Sequence, residues 1–191
     1  MKVGKNLVLF GDSITAGADL RDNGSATSRI SLSYGTQLNL LTSYRFNRPP
    51  AEHNFGLNGD TTTGMLARIA EVLAAKPQIV VMPCGTNDGD RIETVDNVVE
   101  MARIFNEAGA IVLWPSIIPR PFLKTGIFSD PAIALGINQR LRHHAETTCG
   151  FFYVDQDQTM IDLRQPTWTV KDGHLSDGSH LSPAGGSPTP Q

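Results

Sequence analysis

Four apolar runs constrain this chain more than anything else in it: Leu7-Val8-Leu9-Phe10, Ile79-Val80-Val81-Met82, Ala110 through Trp114, and Phe151 through Val154. None alternates with polar residues, the pattern of a strand covered on both faces. The segments between them carry the helical period. Met65, Leu66, Ile69, Val72 and Leu73 predict one helix, closed by Pro77; Val95, Val98, Val99, Ala102, Phe105 and Ala108 predict a second, stopped at Gly109. Ile133, Ile137, Leu141 and Ala145 predict a third, with Asp130 as its N-cap, Pro131 as its first residue, an end near Thr148 and a stop at Gly150. Residues 32–41 are apolar enough for a further helix despite Gly35, and His53-Asn54-Phe55 reads as a short strand. Strand and helix in alternation give an α/β fold: a parallel sheet of about five strands with helices on both faces, joined by right-handed crossovers. Sites in such sheets form outside the carboxyl ends of the strands.

The chain has 191 residues, enough for one core, so residues 1–183 are expected to form a single domain and 184–191 a disordered or truncated tail. A net charge of -3 with 18% charged residues offers no basic stripe to a nucleic acid, and no tract is long enough to span a membrane. The apolar run after the basic Met1–Lys5 start is shorter than a signal peptide requires, which gives a cytoplasmic or unassigned location. Two cysteines, Cys84 and Cys149, are too few for a disulfide framework or a zinc site and are expected to be unbonded buried thiols.

Chemistry enters where the runs end. The first breaks into Gly11-Asp12-Ser13-Ile14-Thr15, which sets the Ser13 hydroxyl at the rim of the sheet; Asp12 is expected to bond turn amides. Asp177-Gly178-Ser179-His180 places a carboxylate one turn from an imidazole, where it can fix the tautomer and leave the other ring nitrogen to take a proton. Acyl transfer also requires donors for the developing oxyanion, and three are available: the backbone N–H of Ser13, that of Gly59, and the Asn87 side-chain amide. Asp172 and His174 have a less suitable spacing, and His143 and His144 fall on a polar helix face. No group with ligand spacing accompanies Ser13, so neither a metal nor a cofactor is expected.

Taken together, Gly11-Asp12-Ser13, the Asn54–Thr61 stretch around Gly59, Gly85-Thr86-Asn87-Asp88 and Asp177-Gly178-Ser179-His180 resemble, in order, the four blocks of the SGNH, or GDSL-type, hydrolase family. The resemblance implies a flavodoxin-like three-layer α/β/α sandwich, with Ser13 as nucleophile, His180 as base and acid, Asp177 as its orienter, and Ser13, Gly59 and Asn87 as the oxyanion hole. Two departures stand out. Isoleucine replaces the leucine of the namesake tetrad, and no glycine lies two residues after the serine, unlike the nucleophile elbow of α/β-hydrolases. The second departure is that members usually carry a final helix after the histidine, whereas Pro183 through Gln191 are not expected to form one: either the chain is truncated or the protein does without it.

The expected activity is a cofactor-independent serine esterase acting through an acyl-enzyme on a small-molecule ester, with short acyl groups from acetyl to butyryl and a polar or sugar-like alcohol. Its acyl pocket is drawn from Trp114, Ile117, Ile118 and Phe122, with no apolar lid in the polar loop 18–29. The alternatives are a thioesterase or lysophospholipase on longer chains and a non-catalytic carbohydrate-binding relative. Without a terminal helix the chain is expected to leave an apolar groove beside the first strand, covered by the tail, by a partner chain or by nothing, which favours a homodimer or a marginally stable monomer.

Overall fold

The computed structural model describes residues 6–17, 34, 38, 41, 42, 53–118, 131–148 and 150–160. Its strands are β1 (Leu7–Gly11), β2 (Asn54–Gly56), β3 (Ile79–Val81), β4 (Ile111–Pro115) and β5 (Phe152–Val154). The helices are α1 (Ser13–Ala16), α2 (Thr62–Ala67), α3 (Ile69–Ala74), α4 (Thr94–Glu107), α5 (Pro131–Thr148) and α6 (Gln156–Met160). All four strand pairings are parallel, in the order β2-β1-β3-β4-β5, so every strand ends at the same edge. This is the flavodoxin-like three-layer arrangement expected from the sequence.

Successive strand residues point to opposite faces, and β1 shows why its run has no polar interruption. Val8 and Phe10 face a core that also takes Val80 and Met82, Val112 and Trp114, Val72 of α3, Val98, Met101 and Phe105 of α4, and Leu141 of α5. Leu7 and Leu9 face the other way, with Val81, and are covered by Tyr34 and Leu38, both helical. Leu7 through Phe10 are thus buried on both faces of the sheet. Several exposed apolar residues lie together at the far end of the sheet. Register places Phe152 beside Leu113, and Ile111 beside Ile79, on the Tyr34 side. There Phe152 is 63% exposed, Ile111 43% and Val154 41%.

Two local expectations need correction. The single helix predicted through residues 65–73 is two, because Arg68 leaves the helical conformation (φ -108°, ψ 13°) and separates α2 from α3. The apolar period survives the break, since Ile69, Val72 and Leu73 still turn toward the sheet. The helix α6 was not expected at all, and at five residues it is too short to show a period. Among the described residues no helix is long and apolar enough to cross a membrane. The loop 18–29, Asp130, Cys149 and the tail 184–191 lie outside the described residues; Cys84 is a buried free thiol.

Candidate active site

β1 delivers the serine. The chain leaves the strand at Gly11, Asp12 caps the next turn by accepting from the Ile14 N–H at 2.9 Å, and Ser13 begins α1. Asp12 is thus the turn-bonding residue anticipated from the sequence. Ser13 is 6% exposed, held at the carboxyl end of β1 between β2 and β3. Gly11 is required sterically, because a Cβ there would stand 2.2 Å from Thr15 Oγ1 and 2.5 Å from the Pro83 carbonyl oxygen. The close approach that an elbow glycine would provide after the serine is supplied by Gly56 on the neighbouring strand, where a Cβ would meet Ala16 N at 2.1 Å. Position 15 can then be a buried threonine, whose Oγ1 shares a hydrogen bond with the Tyr34 hydroxyl at 3.1 Å.

The second and third blocks converge on this turn. Leu57 N donates to Gly11 O at 3.0 Å, and the loop turns at Gly59, whose φ of 75° disfavours any residue with a Cβ. Asn87, beyond the end of β3, donates from Nδ2 to Asp60 O at 2.8 Å, which places its amide beside the Gly59 turn. The next residue, Asp88, is buried and accepts from Thr62 N with both oxygens, at 3.1 and 3.0 Å, and from the Thr62 hydroxyl. Asn97 of α4 donates to the hydroxyls of Thr62 and Thr63, each at 3.1 Å. Three carboxylates therefore surround the serine turn, and each is engaged: Asp12 by Ile14, Asp88 by Thr62, and Asp60 by Arg68 at 2.7 Å.

Sequence reading missed this supporting set. Asp60, Asp88 and Asn54 lie inside the quoted blocks, but nothing local gives their partners; Asn54 donates to Thr15 O at 2.9 Å, across 39 residues. Arg68 gave no signal beyond its place in a helical period. Cys84, just after β3, is not a second nucleophile: burial pushes its thiol well above the ordinary range, reinforced by the carboxylates of Asp88, Asp12 and Asp60.

The expected acyl-pocket residues are placed differently. Trp114 is fully buried, packed against Phe151 and Tyr153 in the core, because the last positions of β4 alternate faces and it points to the α4–α5 side. Ile117, 6% exposed, also belongs to that core: its Cδ1 lies 2.8 Å from where a Cβ on Gly85 would stand. Ile118 is buried, while Phe122, Asp177 and His180 lie outside the described residues. A groove of about 430 Å³ between α4 and α5, bordered by Val99, Arg103, His144 and Phe151, opens at the opposite edge from Ser13. Among the described residues no three of His, Cys, Asp and Glu are grouped to hold a metal.

The family of GDSL-like lipases and acylhydrolases matches residues 9–186, a span containing all four blocks. The chain belongs to that family. A GDSL-family acylhydrolase is an enzyme of the carboxylic ester hydrolase class, and the parallel five-stranded sheet is the family's own. Among solved structures, a GDSL-like lipase from Bacteroides thetaiotaomicron superposes with a TM-score of 0.70 at 20% identity, over 93% of this chain and 80% of that one. A variant of Axe2, an acetyl-xylooligosaccharide esterase from Geobacillus Stearmophilus, gives 0.69 at 18% over 97% and 91%. TesA gives 0.66 at 24% over 95% and 92%. At these identities the likeness is one of fold. No curated protein matches in sequence.

Proposed function

We propose that this GDSL acylhydrolase is a serine esterase for short acyl groups, acetyl to butyryl, carried on a polar or carbohydrate alcohol. The observation that carries the reading is the convergence of three separate loops on Ser13, tied by Leu57 N to Gly11 O and by Asn87 Nδ2 to Asp60 O. In this reading Ser13 Oγ attacks the acyl carbonyl while His180 takes its proton, and Asp177 holds the imidazole in the required tautomer. Negative charge moving onto the carbonyl oxygen is met by the N–H groups of Ser13 and Gly59 and by the Asn87 amide. The alcohol leaves with the proton from His180. Water, activated by the same imidazole, then releases the acid from Ser13.

Preference for short chains is supported by the burial of Trp114, Ile117 and Ile118, which leaves little of their apolar surface to line an acyl pocket. Each further CH₂ of substrate forgoes about 0.8 kcal/mol of transfer energy where no apolar wall receives it. The carbohydrate alcohol is supported by a shared fold with the acetyl-xylooligosaccharide esterase. A series of p-nitrophenyl esters tests the reading: kcat/KM is highest at acetate to butyrate and falls toward decanoate, and Ser13→Ala removes turnover throughout. A steady rise to decanoate replaces it with the thioesterase or lysophospholipase alternative.

A further inference from the structure

Arg68 stands where the helix predicted from periodicity breaks, and its side chain returns to the sheet edge. Nε meets Asp60 Oδ2 at 2.7 Å; Nη2 donates to Gly11 O at 3.2 Å and to Phe55 O at 2.9 Å. The guanidinium lies over the Phe10 ring, 4.8 Å from its centroid. The pair is largely out of solvent, at 16% exposure for the Arg68 side chain and 6% for that of Asp60. One planar group thus holds three segments: the end of β1 immediately before Asp12-Ser13, strand β2, and the turn after Gly59.

Asp60 passes that constraint on. Its Oδ1 accepts from Thr61 N at 3.0 Å, and its carbonyl accepts the Asn87 amide at 2.8 Å. The guanidinium reaches all three acceptors from the non-helical backbone at position 68. The bidentate, planar character of arginine matters, since a lysine ammonium cannot span a carboxylate and two carbonyls in one plane.

We propose that Arg68 is a positioning residue for ester hydrolysis. Through Asp60 it fixes the Gly59 turn and the Asn87 amide in register with the Ser13 turn, touching no substrate atom. The proposal rests on the oxyanion roles given to Gly59 and Asn87 above. Its effect falls on kcat, because small misplacement of transition-state donors is expensive while substrate binding is spared.

The test is a double-mutant cycle on p-nitrophenyl acetate hydrolysis by the full chain, with kcat expressed per folded molecule. Arg68→Ala is expected to lower kcat by roughly 10–100-fold with KM within about twofold. Guanidinium chloride at about 10 mM restores part of that loss and sodium chloride at equal ionic strength does not, because the cation refills a fork-shaped gap. In an Asn87→Ala background the same substitution costs at least about threefold less than it does alone, since one of the two donors it positions is gone. If Arg68→Ala does not fold, Arg68→Lys, which keeps a charge for Asp60, carries the same cycle. Full additivity with Asn87→Ala, or a folded Arg68 variant with wild-type kcat, overturns the proposal. An Asn87→Ala single variant with wild-type kcat overturns the oxyanion reading itself, and the positioning role with it.

Discussion

The two halves of the carboxyl edge are built differently. At β2, β1 and β3, loops from distant parts of the chain are bound by side chains that reach backbone groups of another segment: Asn54 to Thr15, Arg68 to Gly11 and Phe55, Asn87 to Asp60, Asp88 to Thr62. At β4 and β5 there is also a buried polar node. Asn138 of α5 pairs with both the N–H and the carbonyl of Ile117, each at 2.8 Å, and Ser116 donates to Asp157 at 2.8 Å. That node closes the end of β4 onto two helices, α5 and α6, while Phe152 and Val154 of the neighbouring strand β5 remain exposed. Polar bonds in the first half tie loops from distant parts of the chain to one another. In the second they satisfy buried backbone groups where a strand stops.

Two asparagines test this contrast most directly. Asn87→Ala is expected to lower kcat by on the order of 10²–10³ with little change in thermal stability, because an oxyanion donor is lost and the loop keeps its other bonds. Asn138→Ala should do the reverse. It leaves the Ile117 N–H and carbonyl buried without partners, a loss of roughly 2–4 kcal/mol that lowers Tm by about 5–15 °C, with kcat of the folded enzyme retained. Thermal melts and initial rates on the two variants check both, and a kcat loss in Asn138→Ala erases the distinction between the halves.

A smaller effect is expected from the exposed face. The homodimer proposed from the sequence is best served by β5, an outer strand whose neighbouring apolar residues lie uncovered. Phe152→Lys should shift light scattering toward the monomer and leave kcat unchanged, since the residue lies far along the sheet from Ser13. Scattering that is identical for the two proteins at every concentration removes the dimer.

The smallest effect is confined to alkaline solution. Burial raises the Tyr34 phenol above its ordinary value, against the lowering effect of its bond to Thr15. The unfolded phenol ionises near ~10, and the folded one resists ionisation, so the Tyr34 contribution is fully present below that pH and is lost as pH rises above it. Tyr34→Phe should therefore flatten the fall of Tm above about pH 10, leaving the share due to Tyr153, which burial also raises. Parallel Tm profiles for the two proteins would show that the covering of β1 on this face does not depend on a neutral phenol.

The parallel sheet and its functional edge were legible in the residues alone. Leu7 through Phe10 and Val80 through Met82 are apolar at every position because both faces are covered, and that requirement is local enough to read residue by residue. The family was legible there as well, since Gly11-Asp12-Ser13, the Gly59 turn and Gly85-Thr86-Asn87-Asp88 are short motifs whose glycines answer local demands of φ or close approach. What joins those motifs is set by the folded arrangement. It broke the helix at Arg68, sent that guanidinium to Asp60, Gly11 and Phe55, buried Trp114 and Ile117 in the core, and left Phe152 in solvent. Each of these depends on a partner distant in sequence, and a side chain's spacing along its own segment carries no record of which distant carbonyl or carboxylate will stand within its reach.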